Sequence, residues 1–185
     1  MTIRLKKNQR PVIETNQLDS ITHIEVIARN HQHVDFSFLK EQINPVSISA
    51  LTINVKDLRI PPSEISLFYN LKYLKIINSK IEKINFKYSL ETIIMPKANL
   101  ERIPSDIYEM RDLKVLDLNG NRISKVDSKI EKLKNLQRLN LDCNLIENLP
   151  ESFYYLEKIN HLSLDGNPLT EKTKQEIFDH FGIEL

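Results

Sequence analysis

One phrase of eleven residues occurs three times in the second half of the chain. The copies are LKVLDLNGNRI from Leu113, LQRLNLDCNLI from Leu136 and INHLSLDGNPL from Ile159, so consecutive copies start 23 residues apart. Similarity at a fixed period of this length is typical of repeat architectures, in which each unit packs only against its neighbours. The chain is therefore predicted to fold as a stack of similar units.

Weaker copies of the same phrase precede these three. They are ITHIEVIARNH from Ile21, ISALTINVKDL from Ile48, LKYLKIINSKI from Leu71 and LETIIMPKANL from Leu90. Units starting near residues 21, 48, 71, 90, 113, 136 and 159 thus cover residues 21–169. Residues 1–20 are predicted to form an N-terminal cap, in which Ile3 and Leu5 alternate with polar residues as in a short edge strand. Residues 170–185 are predicted to form a C-terminal helical cap of the same single domain.

Each unit has a strand half and a return half. In LxxLxL, alternation places the leucines on the core side of a strand and the residues between them on the opposite, concave face. The return segments 103–110 (IPSDIYEM) and 149–156 (LPESFYYL) space apolar residues three or four apart, as in one or two helical turns. The predicted fold class is α/β: a solenoid with a curved parallel sheet on the concave side and short helical or 3-10 returns on the convex side.

The template LxxLxLxxNxL resembles the leucine-rich repeat family, of the 23-residue type LxxLxLxxNxLxxLPxxlxxL. The resemblance implies about seven repeats and an asparagine ladder, in which Asn121, Asn144 and Asn167 turn into the core and bond loop backbone. A buried amide offers two donors and an acceptor for this purpose. The equivalent upstream residues are Arg29, Lys56, Ser79 and Ala98. Because Ala98 makes no such bond, and an unsatisfied buried group costs about 1–3 kcal/mol, the N-terminal half is predicted to be less stable.

The C-terminal cap has the signals of one helix. Thr170 is a typical N-cap residue, and Gly182 is a typical residue at which a helix ends. Between them, Ile177, Phe178 and Phe181 are predicted to line one face. The helix is expected to cover the last repeat.

Charge and cysteine content narrow the possible partners and compartments. The 26 basic and 25 acidic side chains give a net charge of +1, so no overall field attracts nucleic acid or a membrane surface. A single cysteine, Cys143, fits a reducing compartment. With no apolar h-region at the start, the expectation is a cytoplasmic protein, and export without a cleavable signal stays open. The abundance of Ile, Lys and Asn favours a bacterial source.

One run of residues resembles a metal-ligand set. His31, His33 and Asp35 form HxHxD, but Phe36 stands where a further histidine would be expected, and no distant ligand cluster accompanies them. The run is interpreted as a surface loop that enters a short helix with Asp35 at its N-cap. No metal and no cofactor are expected.

Residues for catalysis are equally few. Cys143 has no predicted neighbouring base, which nucleophilic catalysis requires. Asp117, Asp142 and Asp165 are predicted to stack on neighbouring strands, but on an open sheet they stay solvated, which favours recognition over acid–base chemistry. The chain is therefore expected not to be an enzyme, and an enzyme with an unrecognised site is the less favoured alternative.

The outward strand positions divide the concave face into two regions. From Tyr73 to Val115 the face is apolar, and from Asp117 to Asp165 it is polar and acidic. Apolar anchors beside a polar rim are the composition of protein-binding surfaces. The predicted binding residues are Tyr73, Lys75, Ile77, Ile94, Pro96, Val115, Asp117, Asn119, Asn140 and Asp142. Burial of the apolar residues by an N-terminal arm, or a different local register, is the alternative.

The resemblance and this face together favour a non-enzymatic protein-interaction module. It would bind a protein partner through the concave face, as an inhibitor, an immunity-type antagonist or an adaptor. The alternative is an exported virulence-type effector that binds a host protein. The unbound chain is expected to be a monomer, with neither nucleic acid nor a membrane as its partner.

Overall fold

The computed structural model contains one parallel β-sheet whose strands follow one another in chain order. The structure describes residues 2–5, 22–28, 36–37, 44–82, 84 and 90–184. The described strands are β1 (Thr2–Leu5), β2 (His23–Ala28), β3 (Ala50–Val55), β4 (Tyr73–Ile77), β5 (Thr92–Ile94), β6 (Val115–Asp117), β7 (Arg138–Asn140) and β8 (His161–Ser163). The described helices are four 3-10 helices, Ser63–Leu67, Ser105–Glu109, Ser128–Lys132 and Glu151–Tyr155, and the α-helix α1, Glu171–Phe181.

The register of the sheet follows the repeat. Each strand from β2 to β8 begins two residues after the predicted start of a unit, so equal positions of successive units pair. Thr92, for example, pairs with Tyr73 on one side and with Val115 on the other. The predicted solenoid of parallel strands with 3-10 returns is confirmed. β1 adds one further strand, in which Ile3 pairs with Val26 of β2.

The core lies between one face of the sheet and the returns. In the 3-10 helices, three residues make one turn, so apolar residues three apart share a face. Ile107 and Met110 are buried by this spacing. The equivalent buried pairs are Ile65 and Phe68, Ile130 and Leu133, and Phe153 and Leu156. The strands contribute Leu51, Ile53, Leu74, Ile76, Ile93, Leu116, Leu139 and Leu162 to the same cluster.

The four described 3-10 returns begin in two ways. Pro62, Pro104 and Pro150 directly precede three of the 3-10 helices. The proline ring fixes φ near the value that a first helical turn needs, and its missing N–H is no loss there. The fourth return begins at Asp127, whose carboxylate accepts a hydrogen bond from the backbone N–H of Lys129 at 2.9 Å.

Three asparagines bond successive loops to one another. The side chain of Asn144 accepts a hydrogen bond from the N–H of Ile123 and donates to the carbonyls of Leu118 and Leu141. Asn121 accepts from Leu100 N–H in the previous unit, and Asn167 accepts from Ile146 N–H. Each amide therefore satisfies backbone groups of two units at once, which makes the ladder a link along the stack.

The upstream units replace part of this ladder by other means. The hydroxyl of Ser79 lies within 3.0 Å of the carbonyl of Val55 and 3.1 Å of that of Ile77. The N–H of Ile81, which corresponds to the N–H groups that bond asparagines downstream, instead donates to the backbone carbonyl of Ala98 at 2.9 Å. The expectation that Ala98 leaves this bond unmade is wrong, because its main chain supplies the acceptor that its side chain lacks.

The α1 helix packs against the last return, where the rings of Phe153 and Tyr154 lie about 6 Å from that of Phe181. The Thr170 hydroxyl accepts a hydrogen bond from the N–H of Thr173 at 3.2 Å, and Gly182 ends the helix at a φ of 66°. Positive φ costs glycine little, which explains the residue at this position. Ile177 is fully buried, so the helix is anchored to the core.

The predicted apolar face of α1 needs one correction. Phe178 is 51% exposed, whereas Thr173 and Ile177 are buried and Phe181 packs against the core. Residues four apart share a helix face, and each step of one residue turns the side chain by about 100°. Because Thr173, Ile177 and Phe181 set the inward face, Phe178 points away from it.

Some predictions fall on residues outside the described ones. They concern Arg29, the HxHxD run of His31, His33 and Asp35 with the helix that follows it, and most of the N-terminal cap. Phe36, beside that run, is described and buried.

Candidate functional site

The sheet has an open face, which we define as the face turned away from the core. It is formed by the third, fifth and seventh residues of each unit, which alternate with buried residues along every strand. In β4, for instance, Leu74 and Ile76 are fully buried, while Tyr73, Lys75 and Ile77 are partly exposed. The predicted binding residues all lie on this face, so the local register is the one that the repeat predicts.

The apolar region of the open face spans β4 to β6. It consists of Tyr73, Ile77, Ile94, Pro96 and Val115, each of them partly exposed. Val115 and Tyr73 flank Thr92 in the register, and Ile94 pairs with Lys75. Four of these residues lie on the adjacent strands β4 to β6, which are about 4.8 Å apart, and Pro96 follows β5. Lys75 and Thr92 lie among them, so the region is apolar with one cation and one hydroxyl within it. Partial burial raises the pKa of the Tyr73 hydroxyl.

The acidic region continues from β6 to the end of β8. It consists of Asp117, Asn119, Asn140, Asp142, Ser163 and Asp165. The Asp117 carboxylate accepts hydrogen bonds from the backbone N–H and the side-chain amide of Asn119, at 3.0 and 2.8 Å. The Asp142 carboxylate accepts from the Ser163 hydroxyl at 2.6 Å and from the N–H of Asp165 at 2.8 Å. These bonds hold the carboxylates in fixed positions at the sheet surface.

A ring contact at the N-terminal side of the apolar region was not predicted. The rings of His23 and Tyr73 lie 6.4 Å apart between centroids, although β3 separates their strands. Their neighbour at the same position of β3 is Ala50, whose small side chain leaves room for this contact. Thr52 completes the cluster, with its hydroxyl 3.3 Å from His23 Nε2. The sequence signal is a small residue between two ring residues at equal repeat positions.

The turns after the strands carry residues with positive φ. Gly120 and Gly166 have φ of 67° and 71°, and Cys143 takes the same position between them at 52°. The position suits glycine because an L side chain is strained there. Cys143 is exposed in this turn.

A groove lies on the return side and away from the open face. Its volume is about 970 Å³, and the lining includes Tyr108, Arg59 and Glu82. Arg59 and Glu82 pair with each other at 3.0 Å. Burial raises the pKa of Tyr108 to about 12, so this hydroxyl stays protonated near neutral pH and accepts a hydrogen bond from Asp127 N–H at 3.4 Å.

The described part of the chain shows neither a metal-binding cluster nor a membrane-spanning helix. Within it, no three histidine, cysteine or acidic side chains come together in a way that would hold a metal ion. None of its helices is long and apolar enough to cross a membrane.

Comparison with known proteins identifies the repeat. Residues 89–169 match the family model for the leucine rich repeat. A comparison with curated protein sequences gives no match.

Solved structures share the fold. A structure of TLR13 in complex with ssRNA13 is 22% identical with a TM-score of 0.57, and the match covers 84% of this chain and 26% of that one. The internalin InlF from Listeria monocytogenes is 20% identical with a TM-score of 0.54, and the match covers 83% of this chain and 44% of that one. The chain thus spans less than half of the length of either protein.

Proposed function

We propose that this chain is a non-enzymatic module that binds a protein partner through the open face. Its leucine-rich repeats, matched by sequence over residues 89–169 and continued by fold through the described sheet, support the proposal. Proteins with this fold commonly act as interaction modules. The proposal includes a role as an inhibitor, an antagonist or an adaptor. It also includes a cytoplasmic location and a monomeric state of the unbound chain.

The observation that carries this proposal is the composition of the open face. Four partly exposed apolar residues lie on three adjacent strands and a fifth, Pro96, follows β5, directly beside an acidic region. Tyrosine and isoleucine side chains held by a rigid sheet lose little conformational entropy on binding, which makes them suitable anchors. Their contiguity distinguishes them from the single exposed apolar residues that occur on any protein surface.

A protein partner is favoured over a nucleic acid by the charge of this face. One structural neighbour is a complex with ssRNA13. In this chain, Asp117, Asp142 and Asp165 outnumber the two cations Lys75 and Arg138 on the open face of β4 to β8, and carboxylates repel a phosphate backbone. Nucleic-acid binding depends instead on lysine and arginine that neutralise phosphates.

Site-specific photocrosslinking tests the proposal. The crosslinking residue p-benzoylphenylalanine would replace Tyr73 on the open face or, as a matched control, Tyr155, which is 51% exposed on a return. After irradiation in an extract of the producing cells, we expect discrete adducts with another protein from position 73 and none from position 155. Adducts from position 155 alone would place the binding surface on the return side and contradict the proposal.

A further inference from the structure

The open face is unevenly charged, and the charge lies next to the apolar region. Ile94 of β5 pairs in register with Asp117 of β6. Asp142 and Asp165 lie just past the ends of the next two strands and stay in register, since Gly120 N–H bonds the Asp142 carbonyl and Cys143 N–H bonds the Asp165 carbonyl. The carboxylates therefore extend the apolar region in one direction, strand by strand.

Within the described part of the chain, these carboxylates form no ion pair with a lysine or arginine, which sets them apart from Glu91 and Glu109 but not from other unpaired surface carboxylates such as Glu157. Glu91 contacts two lysines and Glu109 contacts Lys132, at distances of 2.6 to 2.9 Å. Among the described residues, no lysine or arginine forms an ion pair with Asp117, Asp142 or Asp165. For Asp117 and Asp142, the internal hydrogen bonds go to Oδ1, which leaves Oδ2 for a group from outside.

From this arrangement, and resting on the proposed function, we infer that the open face selects a partner segment that carries an apolar side chain and a lysine or arginine. The apolar side chain packs over Tyr73, Ile77 and Ile94, and the cation lies over Asp117 and Asp142. A segment with an acidic residue in place of the cation is rejected by like-charge repulsion, so the acidic region sets specificity while the apolar region provides the anchor.

The strand spacing fixes the distance between the two groups. The centre of the apolar region lies between β4 and β5, and the acidic region centres on β7. Two to three strand gaps of about 4.8 Å separate them, or roughly 10–14 Å. An extended segment that crosses the strands advances about 3.3 Å per residue and turns alternate side chains to one face, so the two groups are four residues apart.

Peptide titrations of the full chain, followed by two-dimensional NMR of its backbone amides, test this inference. The probes are Ac-Leu-Ser-Gly-Ser-Arg-NH2 and Ac-Leu-Ser-Gly-Ser-Glu-NH2, which differ only in the charged residue, at millimolar concentration. We expect the arginine peptide to shift amides near both Ile94 and Asp142. The glutamate peptide should bind at least about threefold more weakly and shift only the apolar region.

A variant and a salt titration test whether the carboxylates cause the preference for the arginine peptide over the glutamate peptide. Asp117→Asn combined with Asp142→Asn keeps an oxygen acceptor at both positions and removes the charge. In this variant the two peptides should bind alike, and 0.5 M NaCl should produce the same loss of selectivity in the unmodified chain.

The remaining outcomes separate this inference from the proposed function. Equal binding of both peptides to the open face of the unmodified chain would overturn the charge selection while leaving that face a protein-binding surface. Shifts confined to the returns, or no shifts on the open face, would contradict both.

Discussion

Ile94 and Asp117 lie side by side on the open face, paired in register between the neighbouring strands β5 and β6. An apolar side chain thus directly adjoins a carboxylate that is fixed by two hydrogen bonds from Asn119. This pair marks the boundary between an apolar region and an acidic region, and the proposed binding surface is centred on it.

The asparagine ladder is expected to account for much of the stability of the last repeats. Asn144→Ala removes an acceptor for Ile123 N–H and donors for the carbonyls of Leu118 and Leu141, all of them in the buried part of the structure. Leaving such groups unsatisfied should lower the free energy of unfolding by about 2–4 kcal/mol. Urea denaturation measures the change.

A matched substitution controls for the loss of an amide. Asn160 is exposed, and no side-chain hydrogen bond of Asn160 occurs within the described structure. Asn160→Ala should therefore change the free energy of unfolding by less than about 0.5 kcal/mol. Equal effects of the two substitutions would show that the ladder bonds contribute no net stability.

Glu91 should make stability depend on acidic pH. Its hydrogen bonds with Lys114 and then Lys72 lower the pKa of its carboxyl from 4.5 to about 2. The ionised form of Glu91 is thus favoured in the folded state. The stabilisation of the folded state by its ion pairs is therefore fully present above pH 4.5 and is lost as pH falls towards 2. Glu91→Gln should lower the urea midpoint at pH 7. The difference between the midpoints of the variant and the unmodified chain should shrink as the pH falls from 4.5 to 2.

The control for this prediction is Glu157→Gln. Glu157 is exposed and takes part in no ion pair among the described residues. Its substitution should leave the dependence of the urea midpoint on pH unchanged between 2 and 4.5. If the urea midpoint of Glu91→Gln stayed below that of the unmodified chain by the same amount down to pH 2, the ion pairs of Glu91 would not be the cause of the difference.

The two halves of the sheet are expected to open at different free energies. Asparagine side chains bond the loops of the C-terminal units, whereas Ser79 and the Ala98 carbonyl supply fewer such bonds upstream. In native-state hydrogen exchange, amides of β3 and β4 should therefore exchange through lower-energy openings than those of β6 and β7. Equal protection in both halves would contradict this expectation.

The strands and their register could be predicted because the repeat specifies them locally. LxxLxL assigns each residue to the core or the open face, and stacking of similar units then brings equal positions together. The repeat pattern alone places Ile94 and Asp117 next to each other on the open face. It does not identify what they bind, because a binding partner leaves no periodic signal in the sequence.

The repeat pattern did not predict contacts that depend on which residues lie on the neighbouring units. The Ala98 carbonyl replaces an asparagine side chain because the main chain passes close to Ile81, and sequence pattern does not encode that approach. The contact of His23 with Tyr73 depends on the small volume of Ala50 between them. The orientation of Phe178 is set by the burial of Ile177, its neighbour on α1.

The most direct test of the proposed binding surface compares two double variants in capture experiments. Tyr73→Ala with Ile94→Asn alters the open face. Tyr155→Ala with Ile60→Asn makes the same chemical changes at positions on the return side that are each 51% exposed. Circular dichroism and urea denaturation establish first that both variants remain folded.

Each folded chain is then immobilised, and proteins captured from an extract of the producing cells are quantified by mass spectrometry. The open-face variant should lose captured protein by about tenfold or more, since two anchor residues are removed, while the return-side variant captures as much as the unmodified chain. Undiminished capture by the folded open-face variant would contradict binding through Tyr73 and Ile94.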